Sequence, residues 1–303
     1  MNRFARHPNP APRRVKPGLG PAWLFALAIG LLWGEAGLAE DAPLASRRRP
    51  SRSKPAVAPE AADVGKPDNR KEKELPALTL QDVMKFAEPS LAAQREIKDY
   101  TAVFTKKELI KGRMLTQVMD MKFRTKPFSV YFKYRSGAEA GRQAIYVEGK
   151  NANNLVVKEV GLKAIAGTMH LRLDNPLVTA ENHYPVTTVG IANMLNEAMA
   201  AWVHESKMEG TDIDVKFFPN AKLGEVPCQA FQVTHKIHQR DLKFHIGRVY
   251  FDKETKLLVR AERFGWPRHA GEKAPLVEDY IYSNVKTNVG LTDADFDPAR
   301  YGF

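Results

Sequence analysis

From about residue 100 onward, apolar side chains recur at every second position, and this period confines most of the chain to β-structure. In "TKPFSVYFKY" (Thr125 to Tyr134), Phe128, Val130, Phe132 and Tyr134 fall on one face, with Ser129, Tyr131 and Lys133 on the other. Strand side chains alternate between the two faces of a sheet, so such a stretch must lay one face against something apolar. The same reading holds for "YTAVFTKKEL", "MLTQVMDMKFRT", "QAIYVEG", "NLVVKEV" and "MHLRLD". It resumes in "DIDVKFF", "VPCQAFQVTHKI", "KFHIGRVYF", "KLLVRAERF" and "VEDYIYSNVK". Short turns separate them, at Lys111-Gly112, at Gly149-Lys150-Asn151 and at Asp252 to Thr255. Short turns of this composition join antiparallel neighbours.

One strongly helical stretch interrupts the strands. In "GIANMLNEAMAAWVHES", Ile191, Leu195, Ala198 and Trp202 form a stripe flanked by Met194, Met199 and Val203, with Asn193, Glu197 and His204 opposite. Before the strands, Thr79 and Asp82 have capping-box spacing and open a helix carrying Leu80, Val83 and Ala87. Pro89 is expected to end or kink that helix, leaving "SLAAQREIKD" as a second piece. Alternating βα units and internal repeats are not visible. The expected fold is therefore α+β. It is a single large curved antiparallel sheet, a half-open β-barrel of about ten to eleven strands, with helices packed in or across its concave face.

The first 75 residues read differently. Residues 1–39 have a long basic start, the apolar run "PAWLFALAIGLLW" and a small-residue stretch "AGLA", which is the pattern of an export signal cleaved near Ala39. The apolar run of 13 residues is short of the roughly 20 that span a bilayer; the alternative is a retained N-terminal anchor. Residues 40–75 are rich in Pro, Ala, Ser and charge, with almost no large apolar side chains, and read as a disordered linker. The folded domain is expected over 76–303, and the protein in the periplasm or cell envelope. The formal charge of +11 falls to +7 without residues 1–39, and residues 40–75 account for +2 of that. The folded part is mildly basic, so nucleic acid is not an expected partner. The "RRRPSRSK" cluster of the linker can touch an anionic envelope surface. Cys228 is the only cysteine, which rules out an intrachain disulfide and makes it a small core side chain.

Chemistry-bearing constellations are weak. His235 and His238 of "HKIH" point to opposite faces of a strand, and a hairpin near residue 240 brings only His245 beside His235. Two such ligands fall short of a closed zinc site. In "TDADFDP", Asp293, Asp295 and Asp297 begin like a calcium loop, but the sixth position is Pro298, and these acids are expected on an exposed terminal segment. Glu278 and Asp279 are adjacent and face apart. The sequence holds no nucleophile elbow, phosphate loop or GxGxxG, so no catalytic residue, metal or cofactor is assigned. The informative signal is apolar. Met114, Met119 and Met121 cluster on an early strand, and Met194 and Met199 on the helix. With Phe104, Phe123, Phe128, Val130, Phe132, Tyr134 and Trp202 they can line one concave face, as a ligand groove or as a filled core.

Four stretches, "YTAVFTKKELIKGRM", "RTKPFSVYFKYRSG", "GRQAIYVEGKN" and "LTDADFDPARYGF", together resemble a secreted planctomycete family of unknown function, number 1571. That family is similar to the periplasmic lipoprotein-carrier (Lol-type) superfamily. The resemblance implies a half-open barrel of about eleven strands whose concave face holds acyl chains under a helical lid. In the carriers an arginine within the strand after the proline helps hold that lid; here the strand reads "PFSVYFKY", with no arginine before Arg135. The expected function is non-catalytic binding of a lipid or lipoprotein acyl chain. The alternative is an envelope structural or protein-interaction module whose groove its own helices fill.

Overall fold

A computed structural model describes residues 77–269 and 271–303. The export signal and linker read from residues 1–75 lie outside the described residues. The first helix, α1 (Leu80–Arg95), is capped as its sequence dictates: Thr79 Oγ1 accepts from the Asp82 N–H at 3.3 Å, and Asp82 accepts from the Thr79 N–H at 2.8 Å. It does not stop at Pro89. A single helix runs through the proline, with Leu80, Val83, Ala87, Ser90 and Gln94 buried in one unbroken stripe. Burial of that stripe on both sides of Pro89 outweighs the lost backbone hydrogen bond.

Twelve strands follow: β1 (Asp99–Ile110), β2 (Arg113–Arg124), β3 (Ser129–Tyr134), β4 (Gln143–Val147), β5 (Leu155–Lys158), β6 (Thr168–Leu171), β7 (Ile213–Phe218), β8 (Lys222–Leu223), β9 (Val226–His235), β10 (Ile246–Asp252), β11 (Leu258–Phe264) and β12 (Leu276–Thr287). They form one open antiparallel sheet in the order β6-β5-β4-β3-β2-β1-β12-β11-β10-β9-β7, with β8 paired to β9 off this path. The count exceeds expectation because β8 has only two residues, too few to show a period. Two short helices of the central interruption, α2 (Pro176–Thr179) and α3 (Ile191–Glu205), separate the two wings of the sheet. The β1–β2 hairpin turns on Lys111 (φ 48°) and Gly112 (φ 80°), both left-handed, which suits the twist of a two-residue hairpin.

The register builds the expected face. Tyr282, Phe104, Met119 and Tyr134 lie side by side across β12, β1, β2 and β3. The neighbouring rows bring Met121 beside Phe132 and Phe123 beside Val130. Helix α3 buries Ile191, Met194, Leu195, Ala198 and Trp202 into the same cluster, and α1 lies on that face too. Its Phe86 packs on Phe217, Phe231 and Phe251 of β7, β9 and β10, with centroids 4.7–5.9 Å apart. Both helices therefore fill the concave side.

The other face has a core of its own. Tyr131, Ile145 and Val147 are buried under Phe296, with Leu291, Tyr301 and Phe303 packed around them. Tyr131 stacks on Tyr301 at 4.2 Å. Asp295, expected on an exposed segment, instead pairs with Lys122 at 2.8 Å, and its side chain is only 14% exposed. Asp293 stays exposed and reaches Arg124 at 2.8 Å.

Candidate functional site

The site is built where the aromatic row meets the segment leading into α3. Between that segment and the sheet lies a cavity of about 140 Å³. Phe104, Met119, Phe132, Tyr134 and Met194 form its apolar wall. The next row of the sheet is polar: Tyr280 of β12, Lys106 of β1 and Gln117 of β2 stand side by side and also line the cavity. One end of the space is thus aromatic and the other hydrogen-bonding.

The polar end is closely ion-paired. Lys106 Nζ lies 3.2 Å from Glu108 and donates to the Glu181 carbonyl at 3.0 Å and to Asn182 Oδ1. Burial lowers the Lys106 ammonium, and Glu108 opposes that shift. Tyr280 donates to Glu108 at 2.6 Å, and burial with Glu278 and Glu108 nearby drives its phenol far up. Glu278 holds His183 Nδ1 and Arg263, each at 2.8 Å. Arg142 donates to Glu159 at 2.9 Å and to Glu181 at 2.8 Å. Burial pushes both Tyr134 and Tyr184 up to about 12, so each phenol stays neutral. These contacts tie the stretch Glu181–Tyr184 to the sheet on three sides.

Helix α3 is tied down differently. Its N-cap is Gly190, which offers no side chain, and the first N–H groups are met by the sheet instead. The Gly190 N–H donates to Tyr282 Oη at 3.0 Å, and the Ile191 N–H donates to Tyr100 Oη at 3.2 Å. Gly190 sits at φ 127°, and a Cβ there would stand 3.0 Å from the Phe123 ring, so no other residue allows this approach. Asn193 turns back to the incoming segment and donates to the Val189 carbonyl at 3.0 Å.

The candidate groove residues divide into two groups. Phe104, Met119, Phe132, Tyr134 and Met194 border the cavity. Met121, Phe123, Val130 and Trp202 are buried in the surrounding core, and Phe128 and Met199 are half-buried against it. Met114 is exposed near the β1–β2 turn, away from this face. Arg135, the first arginine after this strand's proline, bonds Asp120 at 2.9 Å at the surface. Residues that periodicity did not single out are Gln117, Lys106, Glu108, Arg263, Tyr280 and Tyr282. Alternation puts Lys106, Glu108 and Gln117 on the same face as Phe104 and Met119, but as polar residues they carry no apolar signal; the register sets Lys106 beside Gln117 and Tyr280.

The histidines do not converge. His235 and His245 are backbone neighbours, the His235 N–H donating to the His245 carbonyl at 2.9 Å. The His235 ring lies 3.3 Å from Glu205 at the end of α3, whereas His238 and His245 flank Trp266 at 4.4 and 4.7 Å. Among the described residues no group of three or more His, Cys, Asp or Glu side chains is placed to hold a metal. No helix among them is long and apolar enough to cross a membrane.

No curated protein matches this chain. Solved structures similar to it include the lipoprotein LppX of Mycobacterium tuberculosis, at 14% identity over 72% of this chain and 99% of that one, with a TM-score of 0.42. A LolA superfamily protein of Nitrosomonas europaea matches at 13% identity over 74% and 99%, with a TM-score of 0.31. The MucA/MucB complex of Pseudomonas aeruginosa matches at 12% identity over 71% of this chain and 60% of that one, with a TM-score of 0.37. At the level of sequence family, the profile described as a protein of unknown function, DUF1571, matches residues 97–303, and the chain belongs to that family.

Proposed function

We propose that this is an exported, non-catalytic binding protein that holds an apolar ligand, a lipid or lipoprotein acyl chain, between the sheet and α3. The observation that carries the reading is the cavity walled by Phe104, Met119, Phe132 and Met194 under a segment tied by side-chain contacts. An apolar space of about 150 Å³ is enough for a benzene-sized guest. At roughly 30 Å³ per water-sized group, the cavity takes about five methylenes. Their burial is worth about 4 kcal/mol, a millimolar affinity. Tighter binding of a longer chain therefore requires α3 to move off the sheet. In this reading the basic linker touches an anionic envelope surface.

A second reading is an envelope structural or interaction module whose groove is self-filled. The burial of Met121, Phe123, Val130 and Trp202 in packed core favours it. Purification of the full chain from its native envelope, followed by extraction and mass spectrometry, separates the two. Stoichiometric lipid or lipoprotein supports binding. The result is checked with Met194→Trp, whose larger side chain enters the cavity: it should abolish binding of benzene, followed by calorimetry, while circular dichroism is unchanged. A lipid-free chain that also fails to bind benzene refutes the binding reading.

A further inference from the structure

Between β5 and β6 the chain forms a short 3₁₀ helix, Gly161–Ala166, and every residue from Gly161 to Gly167 is exposed. Leu162 is 89% exposed and Ile165 88%, more than any other large apolar side chain among the described residues. The glycines at its two ends are left-handed, Gly161 at φ 62° and Gly167 at φ 67°, and a Cβ on either would meet nothing within 4 Å. The turn therefore stands clear of the sheet. A 3₁₀ helix has three residues per turn, so Leu162 and Ile165 project from the same side. Single apolar side chains scattered on a surface need no explanation, but a matched pair this exposed does. We infer that this turn is a membrane-contact element, in which Leu162 and Ile165 enter the acyl boundary of an anionic bilayer and Lys163 stays among the headgroups.

The charge around the turn selects such a surface. From Val160 to Met169 the only charged side chain is Lys163. The nearest acids along the chain, Glu159 and Asp174, are spent on Arg142 and Arg172, at 2.9 Å each, so Lys163 is left without a counter-ion among the described residues. A lysine beside apolar residues keeps its methylenes with them and extends its ammonium to the phosphate level. The β1–β2 turn leaves the sheet at the same end, because β5 ends, β4 begins, β3 ends and β2 begins there. It carries Lys111 and Arg113, with no acid between Leu109 and Met114. The β10–β11 turn, at the opposite end, carries both signs in Lys253 and Glu254. A stable protein partner buries roughly 800 Å² of each surface, which two side chains on one turn do not supply; a bilayer needs no matching surface. The turn also lies beside the cover of the cavity. Glu159, two residues before it, shares Arg142 with Glu181 of the segment laid over that space. The inference stands whether or not the cavity takes a guest.

The test places an environment-sensitive nitrobenzoxadiazole label on Ala164→Cys in the full chain; Cys228 is fully buried and stays unlabelled. A label on Glu254→Cys, in the β10–β11 turn, is the control. On vesicles of phosphatidylcholine with phosphatidylglycerol, the expected result is a blue shift and a rise in emission at 164 and neither at 254. In Leu162→Asp/Ile165→Asp the partition coefficient should fall at least tenfold, since burial of one such side chain is worth about that factor. Both side chains are exposed, so the melting temperature should hold. Lys163→Gln should cost about fivefold on these vesicles and nothing on pure phosphatidylcholine. The basic linker is the same in every variant, and added salt screens its attraction. Attachment by the linker alone therefore appears as binding that salt abolishes, with the 164 label in water and the double variant equal to the parent chain, and it overturns the inference. A chain that binds no vesicles overturns it as well. If the double variant instead dissociates a dimer in light scattering and leaves vesicle binding unchanged, a second copy covers the turn and the inference falls. A Lys163→Gln variant that binds both vesicles as the parent does overturns the choice of an anionic surface.

Discussion

Tyr282→Phe removes one oxygen and nothing else, and the structure says what that oxygen does. It is the acceptor for the Gly190 N–H, at the buried start of α3, where no side chain of the helix can substitute. An unpaired buried N–H costs about 1–3 kcal/mol. The ring remains to pack against Phe104 at 4.7 Å, so the apolar contribution is unchanged. For a domain of this size the loss corresponds to a fall in melting temperature of about 2–4 °C per kcal/mol. Tyr100→Phe should behave alike through Ile191. The two rings lie 6.4 Å apart and serve adjacent N–H groups, so the double variant should depart from additivity. Urea unfolding of the four proteins gives the coupling energy. Hydrogen exchange supplies the readout specific to the helix: protection should fall in Ile191–Glu205 before it falls in β1 or β12. If Tyr282→Phe shifts stability by less than about 0.3 kcal/mol, or loosens the whole sheet equally, the tyrosine tether is not what holds α3.

Gly190→Ala forces a Cβ into the Phe123 ring at a backbone angle reserved for glycine; a loss of about 1–3 kcal/mol from the backbone alone is expected in denaturant unfolding, with Phe123→Ala partly relieving it. Asp295 gives a pH dependence: burial raises its carboxyl, but the Lys122 ammonium and the Thr292 N–H outweigh this and hold it at about 2, below its ordinary 3.8. A depressed carboxylate stabilises above its unfolded value and loses that stabilisation as pH falls toward 2, so about 2 kcal/mol should disappear between pH 4 and 2. Asp295→Asn should abolish that slope, with detachment of Tyr301 from Tyr131 followed by tyrosine near-ultraviolet dichroism. Cys228 is fully buried, and burial raises its thiol to about 11, so a disulfide-exchange reagent at pH 8 should label it only in denaturant.

Much of this fold was legible because its signals are local. The alternation of Phe128 to Tyr134, the Thr79–Asp82 box and the Ile191–Trp202 stripe each lie within one element, and each forms as its period dictates. The failures have specific causes. Ser90 and Gln94 continue the buried stripe of α1 beyond Pro89, but as polar residues they carry no hydrophobic signal, so the proline is the stronger local signal there. Tyr131 sits on what the alternation marks as the outer face, yet Tyr301, 170 positions later in the chain, covers it. The same long range hides the polar row. Gln117 and Lys106 are eleven residues apart and, as polar residues, carry no apolar signal; hairpin register, and the segment before α3 laid over it, makes them neighbours in one cavity. Periodicity finds faces, whereas a site requires knowledge of what is laid against them.

The open order of the sheet has a further consequence. Among the described residues β6 and β7 are joined to a strand on one side only, so each leaves a row of backbone donors and acceptors uncommitted. A closed barrel would have no such rows, and it would also have no gap through which a helix can leave its inner face. The chain meets the exposure of these borders with brevity at β6, four residues long, and with Asp214 and Lys216 on β7. Charge at a border discourages strand-to-strand pairing between molecules. What these two side chains oppose is therefore pairing between molecules at the β7 border, not unfolding of the sheet itself.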